Sequence, residues 1–276
     1  MSESPIQLHP GCQALLDEIA LLREELAHLL TEEHDLLHIV KQNLLALYQQ
    51  KIGAWELRRL QAETEALRAR RRLELAQAAV NQGKAPDWTA IDGHLELEFL
   101  AWQQRIKEAA EQISAADFRL QHLLAPAEAH ELKKLYYALA KQLHPDLNPQ
   151  LTDDQRRLWL RVQEAYEASD VEELRALTLL AEPHSPAPTP ATLDALRIDR
   201  EALAKQIATM LQRIEKIESQ PPFTLRKQLA DEAWVAARRE ETETEIAKFE
   251  RQREAFEIAL KPFLHLPDDG QKFGSN

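Results

Sequence analysis

Three groups of residues in this chain have the types and spacing to do chemistry. His144, Pro145 and Asp146 stand in a row near the end of an amphipathic stretch, LKKLYYALAKQLHPDLN, running from Leu132 to Asn148. Proline lacks a helical N–H and pushes the residue before it out of helical dihedrals, so the helix must stop at His144 and the tripeptide must form a rigid, exposed turn. There Asp146 can accept charge-assisted hydrogen bonds from a partner's arginine. The helix leading to it sets Leu132, Leu135, Leu139 and Leu143 on a core face. It sets Lys133, Tyr136, Tyr137 and Ala140 on the next, in line with His144, a partly basic and aromatic surface suited to an acidic partner.

The second group is His34 and His38, spaced to share one helix face and ligate a metal. No third ligand accompanies them in the sequence, so a solvated surface is the expectation and no metal is assigned. The third is the cluster Arg68, Arg70, Arg71 and Arg72, which could touch phosphates but is surrounded by Glu63, Glu65 and Glu74. A helix face rich in both signs is usually a solvated face. No Ser, His, Asp combination, glycine-rich phosphate loop or paired-carboxylate site stands out, so the expectation is a binding protein, not an enzyme, with no cofactor.

Bulk properties point the same way. With 34 Lys plus Arg against 46 Asp plus Glu, the net charge of -12 favours solubility and repels nucleic acid and anionic lipid, neither of which is an expected partner. The single Cys12 cannot form an intramolecular disulfide, which suits a reducing cytoplasm. No run of about 18 apolar residues occurs, and the first ten residues lack the basic start and apolar stretch of a signal, so the expected location is cytoplasmic.

The elements that must hold these residues are helices. Leu, Ala, Glu, Gln and Arg dominate and there are only six glycines, so local preference favours an all-α fold. Leu15, Ile19, Leu22, Leu26, Leu29, Leu36, Val40 and Leu47 form a heptad seam broken once at Glu33. A more polar helix with Leu57, Leu60 and Leu67 follows Gly53. After a turn at Asn81, Gly83 and Pro86, Asp87 caps a returning helix with the seam Phe99, Trp102, Ile106, Ala109, Ile113, Ala116, Leu120 and Leu123. The simplest packing is an antiparallel hairpin of the helices on either side of that turn.

Pro126 stops that helix, and a compact run of three shorter helices follows up to Ala181, in which Thr152 opens the second and Asp170 with Glu173 forms a capping box for the third. Pro183, Pro186, Pro188 and Pro190 then read as a stiff linker. Beyond it, Leu193, Leu196, Leu203, Ile207, Met210, Ile214 and Ile217 make a seam interrupted only by Arg200. After Pro221 and Pro222 a returning helix carries Leu225, Leu229, Val235, Ile246, Phe249, Phe256 and Leu260. The expected organisation is N-terminal coiled-coil helices over 1–116, a small helical module over 117–182, a linker over 183–192, an antiparallel coiled-coil hairpin over 193–264, and a tail over 265–276. On this scheme the C-terminal hairpin can be removed without exposing the central core.

A helix ending in His144-Pro145-Asp146, a short loop, and a helix bearing Gln163-Glu164-Ala165-Tyr166 followed by Ser169-Asp170 together resemble the second, third and fourth helices of a J domain, the module of DnaJ-like co-chaperones. The resemblance covers about residues 117 to 180, with Phe118, Leu120 and Leu123 at the position of the first helix. It implies a partner, a DnaK-type chaperone ATPase, whose ATP hydrolysis the tripeptide stimulates while Lys133, Lys134, Tyr136 and Tyr137 on the preceding helix take part in docking. The flanking coiled coils would then recruit a client, a partner or a second copy of the chain. Tyr137, Ala138 and Leu147 occupy positions often basic in that family, which keeps open the alternative of a coiled-coil scaffold with a J-like module that stimulates nothing.

Overall fold

A computed structural model describes residues 10–181 and 192–264. The proline-rich segment and the residues after Leu264 lie outside the described residues. Every regular element among the described residues is helical, so the fold is all-α. In chain order these are α1 (Pro10–Asp35), a π-helical turn (Leu36–Val40), α2 (Lys41–Tyr48), a second π turn (Gln49–Gly53), α3 (Ala54–Asn81), α4 (Trp88–Glu98), α5 (Leu100–Gln121), α6 (Pro126–Leu143), α7 (Asp153–Glu167), α8 (Val171–Leu180), α9 (Leu193–Glu218), a 3-10 turn (Phe223–Leu225), α10 (Arg226–Ala230) and α11 (Glu232–Leu264). They form two compact units: residues up to Leu44 with His122–Thr224, and Leu45–Gln121 with the residues from Leu225 on.

In the first unit, the seam of α1 mates with that of α9. Ile19, Leu26, Leu29, Leu30 and Leu36 share one buried cluster with Leu196, Leu203, Ile207, Met210 and Ile214. Arg200, the polar interruption in the α9 seam, reaches Glu18 at 3.8 Å. Met210 and Ile214, which follow Arg200, share the cluster with Leu26, Leu29 and Leu36, which follow Glu18, as in a parallel pair. The same unit holds α6, α7 and α8 around Leu132, Tyr136, Leu139, Leu143, Trp159, Val162, Tyr166, Leu174 and Leu177. Thr152 opens α7 with a reciprocal capping box, its hydroxyl accepting from the Gln155 N–H at 3.2 Å and its own N–H donating to Gln155 Oε1 at 2.9 Å. At α8 the box is one-sided: Asp170 accepts from the Glu173 N–H at 2.9 Å, but the Glu173 carboxylate is drawn away to Arg161 at 2.5 Å.

In the second unit, α3 is clasped from two sides. On one, Arg68 pairs with Glu96 at 2.5 Å and Arg72 with Asp92 at 2.9 Å, the crossing numbers of an antiparallel hairpin, as the turn after Asn81 predicts. Gly53 does not interrupt the helical run. It is buried where α5 approaches closely, since an added Cβ would lie 3.2 Å from Ile113 Cγ1. On the other side, α11 lies parallel to α3, with Lys51–Glu232 at 2.5 Å, Arg58–Glu243 at 3.1 Å and Arg59–Glu245 at 3.5 Å climbing in step. Beyond these pairs α3 buries small residues, Ala62, Ala66 and Ala76, the last in one cluster with Leu260 of α11.

The C-terminal antiparallel hairpin is therefore corrected: α9 packs chiefly on α1, and α11 on α3. Sequence neighbours joined by a short break pair by default only when their apolar faces complement each other, and here the better-matched faces belong to helices far away in the chain. The module's expected first helix is corrected too. Phe118 and Leu123 are exposed, and the helix that packs across α6 is α1.

Two outcomes follow. A chain ending at Glu182 leaves the seams of α1 and α3 bare, so it should self-associate and lose its cooperative melt, read by light scattering and circular dichroism; a monodisperse, fully helical fragment would contradict this pairing. Ser169, after α7, has φ of 58°, in a Schellman turn where Asp170 N–H donates to Ala165 O and Ser169 N–H to Tyr166 O, both at 2.9 Å. Relief of about 1–2 kcal/mol of left-handed strain, set against about 0.5–1 kcal/mol of added chain entropy, predicts that Ser169→Gly stabilises the protein by up to about 1 kcal/mol in a urea melt.

Candidate functional site

The tripeptide sits where two antiparallel helices are joined. The His144 ring lies edge-on to Trp159 at 5.1 Å, and further along the pair Tyr136 meets Tyr166 at 4.2 Å, so α6 runs down to the turn and α7 runs back. His144 caps α6 in extended conformation, φ -70° and ψ 128°, as a residue before proline should. The turn is held by its own backbone: His144 O accepts from the N–H of Leu147 at 3.1 Å and of Asn148 at 2.9 Å. The Asp146 N–H donates to His144 Nδ1 at 3.1 Å, and Asn148 Nδ2 ties back to Lys141 O at 3.0 Å. Pro145 and Asp146 are exposed, whereas His144 is half-buried, and that burial lowers its pKa from the ordinary range.

The α6 surface differs from its expected form. Tyr136 is only 2% exposed and belongs to the core, not to a docking face. At about 100° per residue Tyr136 falls nearer the centre of the Leu132, Leu139 and Leu143 stripe than Leu135 does, and Leu135 is accordingly the half-buried one. Lys133 and Tyr137 do share a face, but α1 of the same chain covers it. Lys133 Nζ pairs with Asp35 at 3.1 Å. The Tyr137 hydroxyl donates to Glu24 while its ring stacks on His28 at 4.2 Å, and Lys141 pairs with the same Glu24. Those two bonds, Lys141 first and Tyr137 next, hold the Glu24 carboxyl below its usual range. Lys134 remains on the exposed side.

The α1 residues making these contacts were not singled out by the leucine pattern. They nevertheless carry a signal: Glu24, His28, Thr31, Asp35 and His38 repeat at four-three spacing beside the apolar seam, a second stripe of polar residues that also needs a partner helix. Asp35 answers two groups at once, accepting from the Tyr166 hydroxyl at 2.7 Å and from Lys133.

The histidine pair departs most from expectation. His34 is not on a solvated surface. Its ring stacks on Tyr136 at 4.9 Å and tilts against Tyr166 at 5.5 Å, and burial, helped by nearby His38, lowers its pKa to about 4. The third donor missing from the local sequence is Glu167, at the end of α7. Its Oε1 lies 3.1 Å from His38 Nδ1 and 3.7 Å from His34 Nε2. The Arg68 to Arg72 cluster, in the other unit, faces carboxylates throughout: Glu96, Glu74, Glu98 and Asp92.

No family model matches the sequence, and no curated protein or solved structure matches it. No described helix is long and apolar enough to cross a membrane.

A pH dependence follows from the buried imidazole. Because its pKa falls on folding, the unfolded chain takes up the proton first as pH drops. Stability is thus intact above pH 6.5 and declines from there toward pH 4. Urea melts in chelator-containing buffer should show this decline, shallower in His34→Gln; identical slopes for both proteins would contradict a neutral buried His34.

Proposed function

We propose that this chain is a co-chaperone of the J-domain kind, which docks on a DnaK-type chaperone ATPase through His144, Pro145 and Asp146 and stimulates ATP hydrolysis, while its long helices recruit a client or partner. The observation that carries the reading is the setting of the tripeptide. Pro145 and Asp146 project from a turn that needs no partner to hold its shape, because five hydrogen bonds within His144, Asp146, Leu147, Asn148 and Lys141 preorganise it. A preformed turn presenting a carboxylate loses little entropy on binding, which suits recognition of an arginine.

One specific observation favours the second reading, a scaffold that stimulates nothing. Lys133 and Tyr137, which the family resemblance assigns to docking, are engaged by Asp35, Glu24 and His28. A partner needing that face must displace α1, and α1 is also held by its leucine seam against α9.

The steady-state ATPase rate of a DnaK-type chaperone separates the two. The full chain should raise the rate, and Asp146→Asn or His144→Gln should abolish the rise with circular dichroism unchanged. The double variant Glu24→Gln, Asp35→Asn, which loosens α1 from α6, should stimulate at least as strongly as the natural chain. Equal stimulation by the natural chain and both tripeptide variants would remove the assignment of the site, and no stimulation by any form would establish the scaffold.

A further inference from the structure

We propose that His34, His38 and Glu167 form a binding site for a single zinc-class divalent cation, linking α1 to α7. The three donor atoms lie within 4.8 Å of one another. In a tetrahedral zinc site with bonds of about 2.0 Å the donors stand about 3.3 Å apart. The contacts of 3.1 Å and 3.7 Å made by Glu167 Oε1 bracket that spacing, so small side-chain rotations close the set around a metal. Two imidazoles and one carboxylate leave the fourth position to water, and nitrogen donors of this kind select zinc and its transition-metal neighbours over magnesium or calcium.

Four features of the surroundings fit a ligand and not only an ion pair. His34 Nε2 is buried with no hydrogen-bond partner, an arrangement that native structures rarely tolerate without a reason. The site has a floor and an open rim: the His34 side chain is 11% exposed, those of His38 and Glu167 40% and 43%, so an ion can enter from solvent. His38 lies on the π-helical turn Leu36–Val40, whose wider winding brings residues four apart closer to eclipsed than an α-helix does. The two rings accordingly stack at 4.3 Å, and such π turns are frequent at functional sites. Asp35, the nearest other carboxylate on α1, is committed to Tyr166 and Lys133 and does not compete for the ion.

The proposal stands independently of the co-chaperone reading, because its test reads the metal alone. The full-length chain, freed of metal with a chelator, is titrated with zinc chloride by calorimetry, and cobalt(II) is used in parallel for its visible spectrum. One zinc should bind per chain and raise the thermal unfolding midpoint, magnesium should do neither, and cobalt should give the absorption of a tetrahedral site. His38→Ala and Glu167→Gln, both at half-exposed positions, should stay folded by circular dichroism. Each should lose at least about a hundredfold in zinc affinity, since loss of a ligand must cost no less than loss of the outer partners that orient one. They should also lose the zinc-dependent rise in midpoint. Absence of saturable binding to the natural chain overturns the proposal. So does unchanged affinity in both variants, which would mean an adventitious ion on other histidines among the ten in the chain.

Discussion

Helix α1 has two faces to satisfy at once, and the first unit depends on both being met. One face is a leucine seam that leaves water only by lying along α9. The other carries Glu24, His28 and Asp35, and it is accepted against α6 and α7 because each of these three finds a matching group there, while His34 Nε2 is left buried without a hydrogen-bond partner. The asymmetry of hydrogen bonding makes the second face decisive. Leaving a buried donor or acceptor unpaired costs about 1–3 kcal/mol, whereas a satisfied pair adds less than that. The Tyr166 hydroxyl, deep in the module, needs an acceptor, and Asp35 is the one it has. Tyr166 is correspondingly hard to ionise, first through burial and then through Asp35.

The three short helices α6, α7 and α8 are thus completed by a helix from the far N-terminal part of the chain. The aromatic wall of Tyr136, Tyr166 and Trp159 is closed at one end by His34. At the other end His144 rests against Trp159 and presents the Pro145 and Asp146 turn. Because α6 and α7 are antiparallel, the turn and the Glu167 carboxylate fall at opposite ends of the pair. One α6 face supplies the core, and the adjacent face is spent on α1. A surface that would be basic in an isolated module is here neutralised from within the chain.

The second unit solves a different problem with weaker means. Helix α3 has few large apolar residues, so its union with α11 rests on the cluster around Ala76 and Leu260 and on a ladder of Arg and Glu pairs. Exposed pairs of that kind contribute about 0–1 kcal/mol each. Their effect is on register: shifting α11 by one turn along α3 would take these opposite charges away from one another, which favours one alignment over its neighbours. The same logic clasps α4 to α3 through Arg68, Arg71 and Arg72.

By itself the sequence determined the fold class, the caps at Asp87 and Thr152, the antiparallel clasp around the turn after Asn81, the rigid turn at Pro145, and the helical runs, though not the break at Phe99 that parts α4 from α5 nor the one at Asp231 that parts α10 from α11. All of these follow from interactions within a few residues: backbone propensity, a proline's missing donor, a side chain reaching its own helix end. It also showed which helices carry seams needing a partner, because heptad spacing is local. Only the tertiary structure decided which seams mate, since Leu26 is equally compatible with any complementary stripe and α9 prevails by long-range packing that no local pattern encodes. The same holds for the sites. His34 and His38 were legible as a pair, but Glu167 joins them only because α7 folds back under α1. Tyr136 changed from surface to core because the stripe it lies on is defined by what packs there, and Lys133 and Tyr137 lost their open face to a helix that begins more than a hundred residues before them.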